Sequence, residues 1–167
     1  CVPLDSHEGS YEKKFRVLLE ALRTGHPDTE GAQARLLALL RPIHYETEYE
    51  GHLARFTGRT WLLDRIERWL HDPKAATVFW LTGGPGSGKT AISAWLCARH
   101  PDVAAYHFCR FDDRLKSDPA QAVRSIVWQL STQFADYFSS LSAVPALDQI
   151  CQTNDAATLF GHLWIDQ

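Results

Sequence analysis

The chain has 167 residues, a formal net charge of −3, 45% hydrophobic residues and 22% charged residues. That is globular composition, and it excludes disordered, fibrous and membrane-spanning chains, since no apolar run approaches the ~20 residues of a spanning helix. A pI of about 6.2 brings no basic excess to favour nucleic acid or an anionic membrane surface.

In chain order, a first helix is expected from Ser10, with Phe15, Leu18, Leu19 and Leu22 on one face. Gly25 and Pro27 stop it. A second helix is expected from Gly31 to Arg41, with Ala32, Leu36, Leu39 and Leu40 apolar and Pro42 ending it. Ile43 to Ala54, with Glu46, Glu48 and Glu50, reads as a polar connector. A helix follows Arg59, with Leu62, Ile66, Trp69 and Leu70 on its apolar side. Thr77 to Leu81 is β-branched and aromatic and reads as a buried strand. After a glycine-rich loop comes a helix burying Ile92, Trp95 and Leu96, which His100-Pro101 ends. Val103 to Phe111 reads as a second strand. Asp118 and Pro119 supply N-cap and N1 chemistry for a helix carrying Val123, Ile126, Val127, Leu130 and Phe134 inward. From Ser139 onward a loop and two short helices are expected.

The chain contains no Met and opens on Cys1, so either an initiator was removed or the chain reads as a piece of a larger protein. No signal peptide is visible. Cys1, Cys97, Cys109 and Cys151 are widely spaced, which argues against a zinc site or redox pair. Cys97 and Cys109 lie in apolar stretches and read as buried thiols in a reducing, cytoplasmic compartment. The eight histidines show no ligand spacing.

The loop Gly83-Gly84-Pro85-Gly86-Ser87-Gly88-Lys89-Thr90 satisfies G-x-x-x-x-G-K-[ST], the Walker A pattern, at every constrained position. Glycines let the backbone turn tightly and approach a ligand closely. Their N–H groups, with those of the following helical turn through Ala91, can receive phosphate oxygens. Lys89 is a mobile cation for the β- and γ-phosphates, and Thr90 offers a hydroxyl to Mg²⁺. The residues therefore point to a nucleoside triphosphate with Mg²⁺. Hydrolysis would also need a carboxylate on another strand and a group orienting the attacking water. Leu163-Trp164-Ile165-Asp166 is a weak candidate for that strand, with a helix end as the plainer reading. Asp112 and Asp113 read as solvated. Arg110 is weighed as a residue facing a nucleotide crevice.

Phe56-Thr57-Gly58-Arg59, the helix ending Trp69-Leu70, the phosphate loop, Phe108-Cys109-Arg110 and the helix ending Trp128-Gln129-Leu130 occur in an order that resembles the STAND class of P-loop NTPases, NACHT-type. The resemblance covers Phe56 to Gln167. It implies an α/β fold, a P-loop NTPase parallel sheet with flanking helices, incomplete in this chain and preceded by a helical segment. On that reading residues 1–54 are the helical tail of an upstream region plus a linker, and 55–167 are the front of the NTPase domain. Phe56, Gly58 and Arg59 would lie against the adenine and ribose. The implied function is an ATP-binding signalling switch, ADP-closed and ATP-open, that forms homo-oligomers and hydrolyses ATP slowly, with Lys89 and Thr90 as its catalytic residues in this chain. The alternatives are a turnover enzyme, such as a GTPase or small-molecule kinase, or a degenerate scaffold. No Asn-Lys-x-Asp motif is present for a GTPase, and Ser125 to Gln167 holds no Lys or Arg for a kinase lid.

Overall fold

The structure is a computed structural model, and it describes residues 27–45, 51–53 and 58–165. The expected first helix, the acidic residues Glu46, Glu48 and Glu50, and also Phe56 and Asp166, lie outside the described residues. The chain divides into two compact units, Cys1–His44 with Pro101–Gln167, and Tyr45–His100.

The first unit holds α1 (Pro27–Leu40), α4 (Pro119–Gln133), α5 (Ala135–Ser142), α6 (Leu147–Gln152), α7 (Ala156–Phe160) and a π-helical turn over Gly161–Ile165. Helix α1 begins earlier than expected, with Pro27 in its first turn, where a missing N–H costs nothing. Arg41, in left-handed conformation at φ 45°, ends it, donating its N–H to Leu37 O at 2.9 Å, and Pro42 prevents continuation. Helix α4 starts as its sequence dictates: Pro119 occupies the first position and Asp118 Oδ1 accepts from Ala120 N at 2.9 Å. Leu36 and Leu40 of α1 pack with Ala120, Val127, Leu141, Leu147, Cys151, Leu159 and Leu163 into one apolar cluster. Phe134, expected inward, is 50% exposed, because it caps α4 where the chain turns into α5.

Helix α4 also buries four polar residues, Gln121, Arg124, Ser125 and Ser131. Gln121 Nε2 donates to Arg41 O at 2.6 Å, and Ser125 Oγ accepts from Ile43 N at 3.0 Å. Arg124 Nε donates to Cys151 O at 3.2 Å and its Nη2 to Thr153 O. A buried guanidinium thus closes the C-terminal end of α6, where helix carbonyls lack partners and the dipole favours a cation.

The second unit holds α2 (Thr60–His71) and α3 (Lys89–Arg99). Leu62 and Ile66 of α2 meet Ile92 of α3, with Phe79, Leu81 and Leu96 packed around them. Leu70, expected on the apolar side, is 41% exposed. His100 is buried and its Nε2 lies 2.9 Å from Glu67 Oε1, which fastens the end of α3 to α2.

The expected α/β fold is overturned. Among the described residues there is no strand and no sheet, and the regular structure is helical. Thr77–Leu81 keeps the alternation that suggested a strand: Phe79 and Leu81 face the cluster, while Val78 is 68% and Trp80 82% exposed. Alternation describes a surface with one covered side; a strand needs a second backbone to pair with. Here the indole of Trp69 donates to Ala76 O at 2.6 Å. Around Val103–Phe111 side-chain amides take the backbone groups that a neighbouring strand would have taken. Gln129 Oε1 accepts from Tyr106 N at 3.1 Å and its Nε2 donates to Tyr106 O at 2.9 Å. Gln133 Nε2 donates to Ala104 O at 2.6 Å. The Leu163–Ile165 segment is π-helical rather than extended, and Leu163 is fully buried. No helix among the described residues is long and apolar enough to cross a membrane.

Two measurements check this account. Arg124→Ala strands the carbonyls of Cys151 and Thr153 and is expected to lower stability by about 3 kcal/mol in urea unfolding. Burial pushes the Tyr137 phenol from its ordinary 10 up to about 12, and its hydroxyl donates to Leu163 O. A raised pKa favours the neutral form in the fold, so this contribution is complete below pH 10 and is lost as pH rises toward 12. Unfolding midpoints of Tyr137→Phe against the parent are expected to converge across that interval.

Candidate functional site

The glycine-rich loop lies wholly within the second unit, between Leu81 and α3. Its first half is a tight turn. Ser87 N donates to Gly84 O at 3.2 Å, Pro85 occupies the second position and Gly86 the third, at φ 72°. That is the residue pattern of a type II turn, in which the third residue needs a positive φ. Gly88 then takes φ 80° and becomes the N-cap of α3. Gly83 is crowded for a different reason: a Cβ there would stand 2.7 Å from Ser87 Oγ, so the hydroxyl would have to turn away.

Lys89 closes the loop. Its Nζ donates to Gly83 O at 2.6 Å, to Gly84 O at 2.9 Å and to Ser87 Oγ at 3.4 Å. The ammonium therefore lies over the loop rather than out in solvent. Behind it, Lys89, Thr90 and Ala91 begin α3, whose first intrahelical bond is Ile92 N to Gly88 O at 3.1 Å. The N-cap offers no side-chain acceptor and the first turn holds no acidic residue. The N–H groups and the positive end of the dipole are thus left for an outside anion. Thr90 is exposed.

Gly58 and Arg59 both adopt left-handed backbone, at φ 76° and 62°. They turn the chain into α2, of which Arg59 is the N-cap, again with no side-chain cap and no acidic residue in the first turn. Arg59 O accepts from Leu62 N at 3.0 Å and from Leu63 N at 3.3 Å. Its side chain reaches the glycine loop. A Cβ built on Gly88 would lie 2.9 Å from Arg59 Cζ and Nη2, and closer still to Nη1. The N-cap side chain of one helix thus rests on the N-cap residue of the other. The structure brings together Gly58, Arg59, Gly83, Gly84, Pro85, Gly86, Ser87, Gly88, Lys89, Thr90 and Ala91. Phe56, expected beside them, lies outside the described residues.

Other candidates fall elsewhere. Arg110 pairs with Asp112, Nε to Oδ1 at 3.0 Å and Nη2 to Oδ2 at 2.6 Å; this guanidinium holds the Asp112 carboxyl below its usual range. Asp113 accepts from Leu115 N and Lys116 N, which likewise lowers its pKa. Among the described residues no group of three His, Cys, Asp or Glu side chains could hold a metal ion. Burial pushes the Cys97 thiol up to about 11, so it stays protonated at neutral pH and is a poor nucleophile. Cys109, expected buried, is exposed, and Cys151 is buried. A cavity in the first unit is lined by Leu36, Leu39, Val144 and Leu147 together with Arg35 and Asp148, which pair at 2.9 Å.

Residues 57–166 match the family model described as Nephrocystin 3, N-terminal. The chain belongs to this family. The Nephrocystin 3, N-terminal match replaces the NACHT-type membership expected from motif order. It spans Gly58, Arg59 and the whole loop, and its description names no ligand and no activity. The chain has no significant match among curated proteins or solved structures.

The contact between Arg59 and Gly88 was not legible in the sequence, where 28 residues lie between them. Gly88→Ala forces a side chain into left-handed backbone and is expected to cost about 1–2 kcal/mol in thermal unfolding. The clashing guanidinium is the flexible end of its side chain, so an Arg59→Ala background is expected to leave that cost nearly unchanged. A cost that vanished in that background would assign it to collision instead.

Proposed function

We propose that Gly83–Thr90 binds the polyphosphate of a nucleoside triphosphate, with ATP and ADP as its ligands. The observation that carries this reading is Lys89 Nζ held over the loop, within 2.6 Å of Gly83 O and 2.9 Å of Gly84 O, at the head of a helix with no cap and no acidic first turn. Phosphate oxygens would take the orphan N–H groups of Lys89, Thr90 and Ala91, which no side chain caps. The ammonium has a weak third partner in Ser87 Oγ at 3.4 Å, and exchanges it for phosphate without releasing the two carbonyls. Mg²⁺ would take the exposed Thr90 hydroxyl and phosphate oxygens, neutralising charge along the polyphosphate. These are binding and positioning roles.

The same proposal makes the protein a nucleotide-gated signalling switch, as the resemblance of the ordered motifs to STAND proteins implies. ATP and ADP differ by one phosphate, so only contacts to that phosphate can shift a population between closed and oligomeric forms. Slow hydrolysis would reset the switch.

Lys89→Ala is expected to weaken Mg·ATP binding by about tenfold to a hundredfold in calorimetry, while the melting curve stays cooperative and falls only by the small cost of two exposed hydrogen bonds. Equal affinity in variant and parent would remove the site. Unchanged sedimentation of the full-length protein with ATP and with ADP would remove the switch and leave the binding site standing.

A further inference from the structure

We infer that Arg59 is a second cation of the phosphate site, contacting the polyphosphate rather than the base. This rests on the polyphosphate reading of Gly83–Thr90.

Three observations converge. First, the Arg59 guanidinium lies on Gly88, the residue immediately before Lys89, so closely that a Cβ there would collide with it. Resemblance alone places this arginine against adenine and ribose. The geometry places its charge at the loop itself. Second, among the described residues no carboxylate or carbonyl pairs with this guanidinium, whereas the guanidiniums of Arg124 and Arg110 are engaged, on carbonyls and on Asp112. A partly buried guanidinium with no protein acceptor keeps its N–H donors available to an anion. Third, Arg59 and Gly88 are the N-caps of α2 and α3, and both helix starts lack a side-chain cap and an acidic first turn. Two positive helix ends and a guanidinium therefore meet at Gly88, with the Lys89 ammonium on the same loop, without any counter-charge supplied by those first turns.

The chemistry that satisfies all four is a multiply charged oxyanion. A guanidinium offers two parallel N–H donors to a phosphate, a geometry that an ammonium lacks. A neutral purine edge would leave the charge of Arg59 uncompensated. The consecutive left-handed residues Gly58 and Arg59 give the side chain its direction. Arg59 leaves the backbone where the chain reverses into α2, and the head crosses to α3.

The test uses the whole chain and four ligands: Mg·ATP, Mg·GTP, inorganic tripolyphosphate and adenosine. Arg59→Ala is expected to weaken tripolyphosphate, ATP and GTP by the same factor, about tenfold, and to leave their ratios unchanged. Arg59→Lys is expected to restore part of that loss, since it keeps the charge without the fork. Circular dichroism of both variants should match the parent. Arg59→Ala that shifts the ATP-to-GTP ratio while tripolyphosphate binding holds would assign the residue to the base and overturn the inference. So would Arg59→Ala with parental affinities while Lys89→Ala loses them. If the parent binds no tripolyphosphate and Lys89→Ala behaves like it, the underlying site fails as well, and the two failures are told apart by Lys89→Ala.

Discussion

Backbone polar groups withdrawn from water must be paired, and in this chain the side chains of helices do much of that pairing. Helix α4 is the clearest case. Gln121 and Ser125 hold the segment leaving α1, Arg124 holds the end of α6, and Gln129 and Gln133 hold the stretch around Ala104 and Tyr106. Each bond ties a loop or a helix end to one rigid rod. The apolar cluster beneath supplies the driving force, but these polar bonds decide which loop lies where. The second unit follows the same logic on a smaller scale, with Trp69 on Ala76 O and Lys89 on Gly83 and Gly84.

That constraint explains what the sequence revealed and what it hid. Helix starts were legible where chemistry is local: Asp118 and Pro119 set the first turn of α4 by themselves. The apolar face of α2 was half legible, with Leu62 and Ile66 inside and Leu70 outside, because periodicity gives a direction and not the width of the covering surface. The strands were misread for a stricter reason. Val78 and Trp80 alternate with Phe79 and Leu81 whether or not another backbone lies alongside, and partnership is a property of two segments. The polar stripe of α4 was hidden because an apolar template treats Gln121, Arg124 and Ser125 as solvent-facing. Asking where the carbonyls after α1 and α6 find donors would have pointed to it.

The loop was legible almost completely. Gly84-Pro85-Gly86-Ser87 encodes its turn in four neighbours, and Gly88 encodes the left-handed entry to α3 in one. What stayed hidden was the partner across space. Arg59 touches Gly88 only because Gly58 and Arg59 together reverse the chain into α2, and because Leu62 and Ile66 seat that helix against Ile92. Family membership spans all of these residues, yet its description is silent about ligands, so the chemistry has to be argued from the side chains.

The absence of a sheet from the described residues changes how such a site can be held. In a sheet-based phosphate loop a strand anchors one side and a helix the other. Here the strand's place is taken by a segment whose Phe79 and Leu81 are packed on α2 and α3, and the loop is drawn closed by its own lysine. The donors that the proposed oxyanion site needs are local: a few N–H groups of one helical turn, one ammonium, one guanidinium. None of them requires a ladder of hydrogen bonds beyond the unit. The distant scaffold would set rigidity, and the pair of helices joined through Ile92 and through His100 on Glu67 supplies that within residues 58–100. The proposed binding and the fold class are therefore separable: a unit whose regular structure is helical among the described residues presents the positive helix ends and cations that the sequence pattern led one to expect at the edge of a sheet.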